Sequence, residues 1–332
     1  MKKVVIRATG GPEALKLIEV ADPVPGENEV LVDLKATGLN WSELMIRRGD
    51  WPIEISADGF TPGSEGAGVV EKTGPGVTDV QPGDRVLVFD FNAYQKEGQG
   101  CYAEKIAVAR DRILKYPEDL DFVEAAAVPM AALTAYDALI NHSPLPESGT
   151  VVITACTGAV GIAAIQLAKR KGLRVIGTTR RESQRAHIHS LGAEVVVAPD
   201  PFRLKEEVEN LVKDEGVDYI FDPISGETAT QLISLLNFNG TYVIYGILSG
   251  GELKLPDNFL FHQARVHGYV ILLNLADPKS LQAAWNEVLP LIETKEILIP
   301  VHKTFPLEDA AKAHEEMENH PHWGKIVLVQ EG

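Results

Sequence analysis

Apolar and polar residues alternate at one period in the first third of this chain and at another afterwards, and the change falls near Asp119. In NEVLVDLKATGLN, residues Val30, Val32, Leu34 and Ala36 recur every second position, the mark of a half-buried strand. GSEGAGVVEKTGPGV reads as a strand between glycine turns, and QPGDRVLVF as a Pro-Gly-Asp turn feeding another strand. Short strands at this spacing predict a curled, mostly antiparallel, barrel-like sheet. DFVEAAAVPMAALTAYDALI is helical, with a break expected near Pro129. A β-α-β series follows. Its strands TVVITAC, RVIGTT, EVVVAP, VDYIFDP and GTYVIYG are separated by helices in GIAAIQLAKRKG, SQRAHIHSLG and GETATQLISLLNFNG. Continuously apolar strands alternating with helices predict a parallel sheet covered on both faces. ARVHGYVIL is a candidate sixth strand. The tail reads as helices around LQAAWNEVLPLIETK and PLEDAAKAHEEME, then a closing strand GKIVLVQ.

Composition narrows the class. With 332 residues, 45% of them hydrophobic, the chain can build two domains. A formal net charge of -16 argues against nucleic acid and anionic membrane as partners, yet permits a local basic pocket. Cys101 and Cys156 lie far apart and outside any metal-type cluster, so no disulfide framework is expected. MKKVVIRATGGPEALKL carries a basic pair but no long apolar run, which fits an opening strand and hairpin better than a signal peptide. No apolar stretch approaches membrane-spanning length without charge. The expectation is a soluble cytoplasmic protein.

Candidate chemistry begins at TVVITACTGAVGIAAIQLAKRKG, a strand, a short glycine turn and a helix. Gly158 and Gly161 are three apart, and Ala155 stands where a dinucleotide fingerprint usually starts. The full G-x-G-x-x-G is absent. Small residues still let backbone N–H groups at Gly158, Ala159, Val160 and Gly161 approach a pyrophosphate at the helix start. An ordinary tight turn is the alternative. The next strand sharpens the choice. An acid near its end would accept the ribose hydroxyls of NAD, whereas this chain reads Thr178, Thr179, Arg180, Arg181. Arginine clamps a 2'-phosphate through charge-assisted hydrogen bonds, and a threonine hydroxyl can add a contact. Positive side chains are poorly placed at a helix N-terminus unless an anion offsets them. The expected cofactor is therefore NADPH, set against a merely solvated basic patch. Arg185, one turn beyond Arg181, either shares the phosphate or faces water. Gly246 and Leu248, after a later strand, are expected to pass near the nicotinamide half, because ligands of open parallel sheets sit beyond the carboxyl ends of strands.

Several segments share one pattern: GLNWSELMIRRG, TPGSEGAGVV, GVTDVQPGDRV, AAAVPMAALTAYDAL, TACTGAVGIAAIQLAKRKG, LGAEVVV and FPLEDAAKAHEEMENHPHWGKIVL. In this order they resemble the zinc-free medium-chain dehydrogenase/reductases, in particular the quinone oxidoreductase-like branch, over nearly the whole chain. The resemblance implies an α/β protein. A GroES-like, partly open β-barrel catalytic domain would span 1–123, and a Rossmann doubly wound parallel sheet would bind NADPH over 124–272. A return to the catalytic domain would follow over 273–332. It implies a dimer or a tetramer, with a homodimer as the expectation. Zinc-dependent relatives carry a ligand cysteine in the stretch equivalent to TGLNWSE; here Gly38, Leu39 and Asn40 stand there. Beside the glutamate their histidine is replaced, giving Ser64-Glu65. Thiolate ligands are missing, so no metal is expected.

Without a Lewis acid, hydride addition suits an acceptor that is already electron-poor, such as a quinone or an α,β-unsaturated carbonyl compound. The resemblance places Asn40 near the nicotinamide and acceptor, where its amide can donate to a carbonyl oxygen as negative charge develops. An Asx turn is the structural alternative. Thr134 corresponds to a cofactor contact in a helix. Related enoyl thioester reductases place a tyrosine where this chain has Trp51, and an indole N–H is a poor proton-transfer acid. That weakens 2-enoyl thioester reduction as the alternative activity. An NADPH-binding interaction protein with little turnover is the alternative from another class. Trp51 and Phe91 are candidate walls for a flat acceptor, and Tyr94 and Tyr102 candidate hydroxyls. His314, His320 and His322 read as structural rather than metal-binding.

Overall fold

The computed structural model describes residues 1–51, 55, 59–91 and 99–330. Tyr94 lies outside them. Among the described residues the strands are, in chain order, β1 (Lys2–Ile6), β2 (Leu15–Glu19), β3 (Glu29–Gly38), β4 (Glu65–Thr73) and β5 (Arg85–Phe89). They continue with β6 (Lys105–Ala109), β7 (Ile113–Leu114), β8 (Thr150–Ile153), β9 (Arg174–Thr179) and β10 (Glu194–Val197). The last are β11 (Val217–Asp222), β12 (Leu236–Ile244), β13 (Arg265–Gly268), β14 (Val301–Pro306) and β15 (Lys325–Val329). The chain divides into two compact units. The first comprises Met1–Met130, Pro278–Leu289 and Ile299–Gly332, and the second Ala131–Asp277 and Pro290–Leu298.

The first unit is a GroES-like domain. Its seven-stranded mixed sheet runs β14-β15-β3-β4-β5-β7, with β6 also paired to β3. All pairings are antiparallel except β14 with β15. The alternation seen in the sequence turns Val30, Val32 and Leu34 into one core with Val70, Val86, Val88, Ile106 and Val108. The expectation of a half-buried β3 understates its burial, since Leu31 and Thr37 are enclosed as well. β1 and β2 form the opening hairpin.

Two helices bear on the site. Helix α1 (Trp41–Arg48) ends at Gly49, whose φ of 83° is the left-handed C-cap geometry. Helices α2 (Phe122–Ala126) and α3 (Pro129–Tyr136) divide as Pro129 requires, because it cannot donate an N–H within a helix but fits a first turn.

The second unit is a Rossmann-type domain. Six parallel strands lie in the order β10-β9-β8-β11-β12-β13, so the strand order reverses beside β8. Crevices outside the carboxyl ends of strands at such a reversal are where these sheets take ligands. Helices α4 (Ala159–Arg170), α5 (Arg185–Ser190), α6 (Pro201–Val212) and α7 (Gly226–Ile233) connect the strands. Val152, Ile176, Val208, Ile220, Leu232 and Tyr242 form the core on one side. The predicted sixth strand ends early: β13 stops at Gly268, and Ile271–Asn274 turns helical with Ile271 buried. Among the described residues, no helix is long and apolar enough to cross a membrane.

Candidate active site

In the first unit, β3 ends at Gly38 and delivers Asn40 to the N-cap of α1. The β4 strand begins at Glu65, and β15 begins at Lys325. Strand pairing of β3 with both neighbours brings these three ends together. Asn40, Glu43, Ser64, Glu65 and Lys325 are all buried, and Glu43, Ser64 and Glu65 have no exposed surface at all.

Burial on this scale requires every charge to be partnered. The Lys325 ammonium donates to Glu65 Oε1 and to Asn40 Oδ1, each at 2.5 Å. Asn40 Nδ2 donates to the same Glu65 oxygen at 2.9 Å and to Ser64 Oγ at 3.4 Å. Glu65 Oε2 accepts the Met130 N–H at 2.7 Å, satisfying a backbone donor in the first turn of α3. Glu43 Oε2 accepts the Asn40 N–H at 2.6 Å, and its other oxygen accepts the Ser64 hydroxyl at 3.2 Å. Gly38 makes the approach possible. A Cβ there would stand 2.5 Å from Ala126 O, 2.6 Å from Glu65 Oε1 and 2.8 Å from Lys325 Cε.

Asn40 therefore sits at a helix N-cap, but its side-chain oxygen accepts from Lys325 instead of closing an Asx turn, and its side chain is committed to Ser64, Glu65 and Lys325. Both amide protons have acceptors, and the bond to Ser64 is the long one. Lys325 and Glu43 were missed by sequence reasoning. The available signal was a lysine opening the apolar strand KIVLV, but nothing local links it to a residue 285 positions earlier.

The second unit gathers its candidate residues at the carboxyl ends of strands. After β8, Ala155 takes a φ of 46°, the left-handed conformation that glycine would favour in the usual fingerprint. Gly158 is the N-cap of α4, whose first turn holds Ala159, Val160 and Gly161. The leading N–H groups of a helix have no acceptor within it. A Cβ on Gly161 would lie 2.5 Å from Cys156 Cα, so glycine permits the close packing of turn and helix. Cys156 itself is buried, donates to Thr178 O at 3.2 Å, and has its thiol pushed up to about 12 by that burial.

Asp222 ties the rim together. It is fully buried, accepts from the Thr154 hydroxyl, and accepts the N–H groups of Ile224 at 3.1 Å and Ser225 at 2.6 Å. Desolvation raises its carboxyl above the usual range, against the pull of those hydrogen bonds. The loop after β12 joins the same rim, since the Leu248 N–H donates to Pro223 O at 2.9 Å. Gly246 packs there as well, where a Cβ would meet Pro223 O at 2.9 Å.

At the end of β9, Thr178 is buried, Thr179 Oγ1 accepts the Arg181 N–H at 3.2 Å, and Arg180 and Arg181 are exposed. Several other arginines of this unit have acids of their own, although the exposed Arg265 on β13 has none among the described residues. Arg174 is paired with Glu194 and Glu215, and Arg203 with Glu206 and Glu207. Arg180 and Arg181 have no such partner among the described residues. Arg185, left open between sharing an anion with them and facing water, is exposed with its fork on Glu182, at 2.5 and 3.1 Å, and its remaining nitrogen donates to Val195 O at 3.0 Å.

The acceptor candidates separate. Tyr102 is not a free hydroxyl. It is wholly buried and bonded to His314 Nε2 at 3.0 Å, with burial raising the phenol well above its ordinary range. His314 is equally enclosed, and desolvation, helped by Arg47, pushes it down to about 3. Phe91 is core, edge-on to Phe89 with centroids 4.7 Å apart. Trp51 is half-buried, and Thr134 is buried in α3. Among the described residues, no group of three or more His, Cys, Asp and Glu side chains is placed to hold a metal ion.

Comparison with known proteins agrees with this architecture. Residues 26–118 match the alcohol dehydrogenase GroES-like domain family, and residues 159–294 the zinc-binding dehydrogenase family. A quinone oxidoreductase of Pseudomonas aeruginosa is 31% identical over 332 residues, covering 99% of each chain. The crystal structure of Escherichia coli quinone oxidoreductase complexed with NADPH superposes with a TM-score of 0.87 at 27% identity, covering 99% of this chain and 100% of that one. A mycobacterial protein complexed with NADPH gives a TM-score of 0.88 at 27% identity and the same coverage.

Proposed function

The chain belongs to the quinone oxidoreductase-like branch of the medium-chain dehydrogenase/reductase superfamily, and from that premise we propose an NADPH-dependent reductase of quinones or α,β-unsaturated carbonyl compounds that needs no metal. The observation that carries the cofactor half is the pair Arg180 and Arg181, exposed at the end of β9 without acid partners while nearby arginines have them. Two guanidinium groups there suit the dianionic 2'-phosphate of NADPH, with Thr178 and Thr179 beside them. The α4 N-terminus at Gly158, Ala159, Val160 and Gly161 offers the pyrophosphate a positive dipole end and the N–H groups after Gly158, whose own N–H donates to Ala155 O. Gly246 and Leu248 border the nicotinamide half, and Thr134 supports it.

Bound NADPH supplies the hydride; the protein's own work is orientation and polarity. Asn40 faces the acceptor, and its Nδ2 exchanges the long 3.4 Å bond to Ser64 for one to the acceptor's carbonyl oxygen. That donor strengthens its bond as negative charge collects on the oxygen. Trp51 forms an apolar wall. The residues present do not fit a zinc centre, because the oxygens of Glu65 and Asn40 already hold the Lys325 ammonium and no thiolate is at hand. We read the assembly as a homodimer. β13 is an edge strand, and Leu260, Phe261 and Leu273, more than 70% exposed, lie in the adjoining segments. Sedimentation equilibrium should report twice the monomer mass, and a monomer at micromolar concentration contradicts that assembly.

The decisive experiment measures NADPH oxidation with quinones, enones and enoyl thioesters in parallel, for the parent chain and Asn40→Ala. Turnover is expected with the first two classes, falling about 100-fold in the variant while NADPH affinity holds. Turnover confined to enoyl thioesters moves the assignment to that class. No turnover with any acceptor leaves an NADPH-binding protein.

A further inference from the structure

We propose that Lys325 is the positioning residue of this site: its buried ammonium fixes which end of the Asn40 carboxamide donates. The inference rests on the reading of Asn40 as the acceptor-facing group.

A carboxamide has an oxygen that accepts and a nitrogen that donates, and a 180° turn exchanges them at little steric cost. Lys325 removes that freedom. An ammonium only donates, and it lies 2.5 Å from Asn40 Oδ1. Turning the amide over would aim its NH2 group at a cation. The oxygen is thus held toward Lys325 and the nitrogen toward Glu65 and Ser64.

The same ammonium settles the charge of the cluster. Glu43 and Glu65 are both buried within the Asn40 network, and a carbonyl oxygen gaining negative charge there would be repelled by them. Lys325, 3% exposed and bonded to Glu65 Oε1, offsets one carboxylate. It also draws electron density from Oδ1, which makes Nδ2–H the better donor. The geometry leaves little slack: any side chain at position 38 would collide with both Lys325 Cε and Glu65 Oε1. Lys325 touches the amide oxygen and Glu65, so its effect on an acceptor passes through Asn40.

The test compares Lys325→Gln, Lys325→Arg, Asn40→Ala and the Asn40→Ala/Lys325→Gln pair with the parent chain, using a naphthoquinone acceptor. Glu65→Gln/Lys325→Gln is included because removing both charges of a buried pair spares the fold the stranded carboxylate. Lys325→Gln should lower kcat about 100-fold, with KM and NADPH Kd changed by less than about threefold. Lys325→Arg should recover most of that loss. On the Asn40→Ala background the lysine change should cost less than about twofold, since the two act as one unit.

A readout independent of turnover is the side-chain amide NMR signal of Asn40. It should be a single, exchange-protected pair in the parent chain and shifted or broadened in both lysine-to-glutamine variants. A folded Lys325→Gln protein with parental kcat, or with an unmoved Asn40 amide signal, overturns the proposal, as does a fully multiplicative loss in the double variant. If Asn40→Ala itself turns over normally, the acceptor-facing reading fails, and the inference built on it falls too.

Discussion

The two polar regions of this protein are finished to different degrees. Around Asn40 the first unit buries two carboxylates, an ammonium, a carboxamide and a hydroxyl, and joins them by short hydrogen bonds. At the end of β9 the second unit displays two guanidinium groups to solvent, with no carboxylate paired to them among the described residues. A closed network holds its donors in place and needs only the long Asn40–Ser64 bond exchanged when a reactant arrives, which suits a group that must polarise a bond. An open cationic corner keeps its pairing energy in reserve for an anion that binds and leaves. Glu182 makes the contrast sharper. It neutralises Arg185 one turn away and leaves Arg180 and Arg181 as they are.

That difference can be broken most directly at the open corner. Replacing Arg180 and Arg181 together by alanine should raise the NADPH Kd by about 100-fold or more, from the loss of two charge-assisted contacts, while NADH affinity moves by less than about threefold. Fluorescence titration with both nucleotides checks it, and equal weakening of the two would dissolve the distinction between the regions. The effect should be far smaller one turn on. Arg185→Ala removes a guanidinium already paired with Glu182, so the NADPH Kd should stay within about twofold of the parent value, as an exposed helical ion pair contributes little. A loss comparable to the double variant would place Arg185 back among the phosphate ligands.

Much of the architecture was legible because it is written at short range. Alternation marked β3, flanking turns marked β4 and β5, apolar runs marked β8 to β12, and Pro129 marked the break between two helices. The place of Thr178 to Arg181 was legible for the same reason, since they are consecutive and their strand-end position follows from the β-α-β pattern. Even the missing fingerprint glycine is explained locally, by Ala155 adopting a positive φ. Tyr102 and Phe91 were misjudged because side-chain polarity and flatness say nothing about which face of a segment is enclosed. Tyr102 stands near the candidate acceptor residues in sequence, but its hydroxyl is spent on His314, 212 residues away. ARVHGYVIL misled in the other direction: apolar content suited a strand past Gly268, where the chain instead turns helical.

The amino-acid sequence by itself determined the two fold types and the pair of adjacent arginines that follows β9, because each depends on neighbouring residues and their period. Tertiary structure alone decided what surrounds Asn40. Glu43, Ser64, Glu65 and Lys325 come from one helix and the ends of two strands, and they meet through the antiparallel pairing of β15 and β4 with β3. A charge can be buried only where an opposite charge and enough hydrogen-bonding partners arrive with it, and that coincidence is settled when the sheet closes.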